Sequence, residues 1–195
     1  MDEVLDTLRK IRNLSSRTYL KENDDTILSI LENFYINHKD NLDIISKILL
    51  VEIDGKNHLL HLLAYNDGTK SLEYVLKNFP DAINKVNVKN TYNQTPLIIA
   101  TFYSRYETLR MLIKHGALID EQNSRGDTAL HLAMEYVINP RITKLLLQNG
   151  ADINLKNSYN KTPKNIAIYT ANIYQNNPNA QENKKLLEDY QDLPH

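Results

Sequence analysis

The residues of this chain with a capacity for chemistry are its histidines and a few paired acids. His61 sits in LLHLLA and His131 in TALHLA, each inside an apolar run. A histidine so placed could serve as a general base or a metal ligand, given a partner within hydrogen-bond reach. The carboxylate pairs Asp24-Asp25 and Glu188-Asp189 fall at a helix start and on a polar terminal face. A solvated face accounts for both. There are no cysteines, so thiolate nucleophiles, disulfides and cysteine-ligated zinc are excluded. The five glycines are scattered and form no phosphate cradle. No serine has the setting of a nucleophile elbow. The expectation is a chain with no catalytic residue, no metal and no cofactor, and so not an enzyme.

The elements that position the two histidines recur. Thr95 in NQTPLIIA, Thr128 in GDTALHLA and Thr162 in NKTPKNIA stand 33 and 34 residues apart. Each threonine is placed to cap a helix start, and Pro96 and Pro163 follow it at the first helical position. Leu130, Leu132 and Ala133 give that helix one apolar face. Ala64, Ala100 and Ala167 are counterparts of Ala133, small enough for close helix approach. A second helix carries Ile142, Leu145, Leu146 and Leu147 and ends at Gly150, suited to a left-handed turn. Helices this short bury their faces only by stacking on neighbours. His61 and His131 then lie two units apart, roughly 16–20 Å at the usual helix spacing. That is too far to share a metal or a proton, so each imidazole is expected to bond backbone in the adjoining turn. His115, in KHGA, is expected to be exposed near a helix end, beside its dipole.

The period of about 33 residues, with GDTALHLA and LLLQNGADIN in combination, resembles the ankyrin repeat. The resemblance implies an all-α solenoid of stacked helix-turn-helix units with terminal capping helices. Residues 1–53 are expected to hold a capping helix and a degenerate repeat, in which Asp24 or Asp25 caps TILSILENFYIN and DIISKILL is the second helix. Residues 54–170 are expected to be the core repeats, starting near 54, 90, 123 and 157. His58 takes the threonine slot of the first, and about four extra residues follow Phe79. Residues 171–195 are expected to form a polar loop, QNNPNAQEN, and a C-terminal capping helix.

Charge and composition narrow the partners. The net charge is −1 with mixed signs, so no basic field is present to hold nucleic acid. No run has the length of a membrane span, and the N-terminus lacks a signal-peptide core. A monomer in the cytoplasm is expected, or in a host cell's cytoplasm if the protein is a secreted effector.

The resemblance also implies a binding face made from turn and first-helix positions that the core leaves free. The first-helix pairs are Tyr65-Asn66, Phe102-Tyr103, Glu135-Tyr136 and Tyr169-Thr170. The turns supply Asp54-Gly55 with Asn57, Thr91-Tyr92 with Gln94, Ser124-Arg125 with Asp127, and Ser158-Tyr159 with Lys161. Aromatics and arginine are the side chains enriched at binding hot spots. The expected site is therefore Tyr65, Tyr92, Phe102, Tyr103, Arg125, Glu135, Tyr136, Tyr159 and Tyr169, facing another protein. The resemblance further implies a non-catalytic interaction module. Narrower forms of that role are an inhibitor similar to the inhibitor-of-kappa-B proteins that masks a transcription factor, in the manner of a parasite or viral effector, and a regulatory subunit of an enzyme. Leu146, Asp152 and Asn154 stand at a spacing resembling ankyrin asparagine-hydroxylation sites, with Asn154 the acceptor. An amide of Asn154 bracing the hairpin is the expectation that needs no modifying enzyme.

Overall fold

The structure is a computed structural model describing residues 2–15, 22–52, 57–79 and 81–191. The turn residues Asp54 and Gly55 lie outside the described residues. Among the described residues, eleven α-helices run in chain order: α1 Asp2–Ser15, α2 Glu22–His38, α3 Leu42–Leu50, α4 Leu59–Asn66, α5 Thr69–Asn78, α6 Pro96–Phe102, α7 Tyr106–Lys114, α8 Ala129–Glu135, α9 Pro140–Gln148, α10 Pro163–Ile173 and α11 Pro178–Gln191.

They stack in two rows. One row is α1, α4, α6, α8 and α10, each packed on the next. The other is α2, α5, α7, α9 and α11. Apolar spacing explains the arrangement. Leu60, Leu63, Leu97, Leu130 and Ala133 of the first row are buried, as are Leu72, Leu112, Ile142 and Leu146 of the second. Helices α3 to α10 are too short to be stable alone, so the fold is held by these shared layers.

The caps follow the sequence. Thr95, Thr128 and Thr162 are extended N-cap residues whose Oγ1 accepts from the backbone N–H three residues on. Counted from those caps, the small slot of α4 is filled by Leu63 and not by Ala64, which lies one residue further along. Both are fully buried.

Three segments differ from the sequence expectation. At the N-terminus, α1 stacks on α4 and α2 on α5, so α1 and α2 make the terminal helix pair. Helix α3 is an addition packed on α1, α2 and α4, although DIISKILL has the apolar pattern of a second helix. Asp24 does not cap its own helix, which starts at Glu22. Its carboxylate instead accepts from the Lys70 N–H at 2.9 Å, the Ser71 N–H at 3.1 Å and the Ser71 hydroxyl, capping α5 of the next unit. The extra residues after Phe79 form a short 3-10 turn, Ile83–Lys85, and bury Phe79, Ala82 and Val86. At the C-terminus the polar loop is only Tyr174–Asn177, because Pro178 at a first helical position starts α11. Asn183 of the expected loop is a buried strut: its amide donates to the Ile138 carbonyl at 2.8 Å and its Oδ1 accepts from Thr143 Oγ1 at 2.7 Å.

Candidate functional site

The turns come first, because they set one wall of the site. Asn90, Asn123 and Asn157 each fold a turn in the same way. The Asn90 Oδ1 accepts from the Tyr92 and Gln94 N–H groups, both at 2.9 Å. Asn123 and Asn157 repeat this with Arg125 and Asp127, and with Tyr159 and Lys161. The tip residue is left-handed in all three: Asn93 (φ 54°), Gly126 (φ 74°) and Asn160 (φ 56°). Asparagine tolerates that conformation. Only glycine fits the middle turn, since a Cβ on Gly126 would meet the Ser158 nitrogen at 2.7 Å. Neighbouring turns are tied by Ser124 N–H to the Tyr92 carbonyl at 2.9 Å and Ser158 N–H to the Arg125 carbonyl at 3.0 Å.

The histidines do the structural work their positions predict. In α8 the His131 Nδ1 accepts from the Thr128 N–H at 3.2 Å, and Nε2 donates to the Lys161 carbonyl of the next turn at 3.0 Å. In α4 the His61 Nδ1 accepts from the His58 N–H at 3.2 Å and Nε2 donates to the Gln94 carbonyl at 2.8 Å. Both bonds require a neutral ring with its proton on Nε2. Burial agrees, pushing His61 down to about 4 and lowering His131 as well. The His58 ring lies 5.6 Å from that of His61, but both nitrogens of His61, like those of His131, are committed to backbone groups. Among the described residues there is no group of three or more His, Cys, Asp or Glu able to hold a metal. His115 is half-buried at the C-cap of α7 rather than exposed.

The aromatic residues make a ladder. Tyr65 of α4 packs edge-to-face on Tyr103, 4.5 Å between centroids. Phe102 meets Tyr103 at 5.0 Å and Tyr136 at 4.7 Å, again edge-to-face. The rings thus link α4, α6 and α8 through mutual contact of the geometry aromatics favour. Tyr65, Phe102 and Tyr103 are half-buried, while Tyr136 is 46% exposed.

The ladder runs between two cavities. One, of about 350 Å³, lies where α4 and α6 meet their turns and is lined by Arg12, Tyr65, Tyr92, Gln94 and Tyr103. The other, of about 400 Å³, lies between α8 and α10 and is lined by Glu135, Tyr159, Tyr169, Ile173 and Tyr174. Tyr159 and Tyr169 are the most exposed of the candidate residues, at 67% and 66%. Tyr169 belongs to this second cavity and not to the ladder.

Arg125 has a different part from the one its residue type suggests. Its Nη2 lies 2.6 Å from Glu135 Oε2 and its Nε 2.9 Å from Asp127 Oδ2. The hydrogen bond to Glu135, more than the nearby carboxylate charges, raises the guanidinium pKa further above its already high value. Asp127 is itself buried and accepts from the Asn157 amide at 2.7 Å. The triad is a strut between turn and helix, standing beside the second cavity. Thr170, paired with Tyr169 as a free position, is buried and donates to the Ile166 carbonyl at 3.1 Å.

Sequence reasoning missed Ile173 and Tyr174, exposed by 53% and 50%, and Arg12. No Gly or Pro signals the first two: α10 runs on to Ile173 where α6 and α8 stop at Phe102 and Glu135, although all three stretches lack both residues after the helix start. Arg12 reaches the first cavity only because α1 stacks on α4, which the sequence did not reveal. At the candidate modification site, the Asn154 side chain is exposed. The brace in that turn is the Asp152 carboxylate accepting from the Asn154 backbone N–H at 2.7 Å, so the expected amide brace is replaced by an aspartate one.

The profile for ankyrin repeats (three copies) matches residues 22–123 and 60–157, which together cover more than half of the chain. The chain belongs to the ankyrin-repeat family. It is similar to the putative ankyrin repeat protein FPV031 of Fowlpox virus (strain NVSL), 32% identical over 121 residues, 60% of this chain and 34% of that protein. The mouse (Mus musculus) B-cell lymphoma 3 protein homolog is 31% identical over 121 residues, 60% of this chain and 26% of that one. Alpha-latrotoxin-Lg1a of Latrodectus geometricus is 40% identical over 82 residues, 40% of this chain and 6% of the toxin. The chain thus spans about a third or less of the length of these relatives. Ankyrin repeats are protein-interaction modules, and that coarse role applies to this chain. No described helix is long and apolar enough to cross a membrane.

Proposed function

We propose that the turn and first-helix face of the repeats binds a partner protein as a monomeric, non-catalytic module, in the cytoplasm. The observation that carries the proposal is the ladder of Tyr65, Tyr103, Phe102 and Tyr136 with a cavity at each end. Rings held against one another are rigid, so docking on them costs little side-chain entropy. Tyr92, Tyr159 and Tyr169 widen the apolar area, and the Arg125–Glu135–Asp127 strut fixes the groove wall. Histidines committed to backbone bonds support binding over turnover. The inhibitor-like and enzyme-subunit forms of this role rest on family likeness, since no feature of the face selects either. The experiment is affinity capture from cells that express the protein, using wild type and a Tyr103→Ser/Tyr136→Ser double variant as baits. A partner retained by wild type and lost by the variant supports the proposal. Capture unchanged by the double substitution overturns it.

A further inference from the structure

The two cavities have a fixed separation, and that separation selects an occupant. One lies between α4 and α6, the other between α8 and α10, two helix steps further along the stack. At 8–10 Å per packed helix, their centres are roughly 16–20 Å apart. A polyproline II segment advances about 3.1 Å per residue, so six residues span about 19 Å. It also has three residues per turn, so residues six apart project from the same side. Two apolar anchors at that spacing would drop into the two cavities together. The rings of Tyr103, Phe102 and Tyr136 lie between, a surface of the kind on which proline-rich segments dock.

Backbone chemistry argues for the same occupant. The described residues contain no β-strand and offer no sheet edge. An extended partner with ordinary residues would leave backbone N–H groups without a ladder to join. Proline has no N–H to satisfy. Charge complementarity agrees. At the second cavity Arg125 and Lys161 balance Glu135 and Asp127, so a run of like charges on the partner finds little net counter-charge there. A helical partner is a poorer match, because spanning the cavities takes about eleven residues at 1.5 Å each and lifts its backbone off the ring surface.

We infer that this face takes an extended, proline-containing segment of its partner, with apolar anchors about six residues apart. The inference rests on the proposed binding face and names the class of segment that fills it.

Proline host peptides with two leucines three, six or nine residues apart serve as rulers, spanning about 9, 19 and 28 Å. A helix-forming peptide with leucines eleven residues apart, about 17 Å, is the competitor. Each is titrated into the full chain, with backbone amide shifts followed by NMR. The expected result is that the six-spaced ruler binds about tenfold or more tighter than the other two proline peptides, because both anchors engage at once. Its shifts fall near Tyr65, Tyr103, Tyr159 and Tyr169, and either Tyr103→Ser or Tyr169→Ser removes the preference. Equal affinity at all three spacings, or no binding by any ruler, overturns the inference. Preference for the helical peptide with shifts on the same residues overturns the class of occupant and leaves the binding face standing. Shifts confined to α5, α7 and α9 overturn both.

Discussion

His61 provides a test of the stacking mechanism in solution. Its neutral ring joins α4 to the next turn through the Gln94 carbonyl, and it is 1% exposed. The ring's pKa falls from an ordinary 6.5 to about 4 on folding, chiefly through burial. The unfolded chain therefore binds a proton below pH 6.5 that the folded chain refuses until about pH 4. Stability from this group is complete above pH 6.5 and is lost as the pH falls through that window. Each unit within it costs about 1.4 kcal/mol, so the step from pH 7 to pH 5 removes about 2 kcal/mol. His131 acts in the same direction. The control is His61→Asn, chosen because Asn165 occupies the same slot in α10 and still accepts from the Thr162 N–H. The variant loses the tie to Gln94, about 1 kcal/mol at pH 7. Its stability then falls less steeply with acid, by the share that His61 contributed. Urea unfolding of both proteins at pH 7 and pH 5 measures this. With a slope of about 2 kcal/mol per molar urea, the wild-type midpoint drops about 1 M further than the variant's. Equal drops in the two proteins would refute the account of a buried, neutral imidazole tying one repeat to the next.

Three further outcomes follow from the packing. Leu146→Ala empties a fully buried site in α9, between α7 and α11. It should cost about 2–5 kcal/mol and spread the loss to both neighbouring units, as seen in denaturant melts and hydrogen exchange; a cost below about 0.5 kcal/mol would contradict its placement. Asp24→Ala removes the acceptor for three donors at the start of α5, whose own N-cap Gly68 offers no side chain. We expect about 1 kcal/mol of destabilisation with faster amide exchange at Lys70 and Ser71, and unchanged exchange there would sink the cross-unit cap. Asn154 is proposed as the acceptor if the protein meets an asparaginyl hydroxylase, its exposed side chain leaving it accessible. Intact-mass analysis should then show the gain of one oxygen, lost in Asn154→Ala, and an unchanged mass removes the idea.

The regular units were legible because their signals are local. A capping threonine, followed by proline in two of the three units, marks a helix start within three residues, and the period in Thr95, Thr128 and Thr162 repeats that threonine three times. The histidine roles were legible for the same reason, since Nδ1 serves its own helix start. The N-terminus was not, because its order depends on which long-range surface each helix buries. The apolar stripe of α3 is that of an ordinary second helix, yet α2 took the place beside α5. Asp24 looked like a cap for its own helix because side-chain type cannot show a partner 47 residues away. The loop before α11 was misread from its asparagines, although Pro178 is well suited to open a helix and Asn183 is buried once Thr143 and Ile138 are beside it. In the candidate site, the sequence placed the aromatic positions in each unit. It could not show that Arg125 spends its charge on Glu135 and Asp127, since Glu135 lies ten residues away on another element. Nor could it separate Tyr169 from the ladder.

The central claim is that the aromatic face binds a partner protein. Its most direct measurement is calorimetric titration of a captured partner against wild type, Tyr103→Ser/Tyr136→Ser and Lys144→Ala, the last on the outward side of α9. The account predicts that the double variant stays folded, with a melting temperature lowered by the lost ring contacts, and weakens binding by several kcal/mol, and that Lys144→Ala leaves affinity unchanged. Equal affinity for wild type and the folded double variant would contradict it.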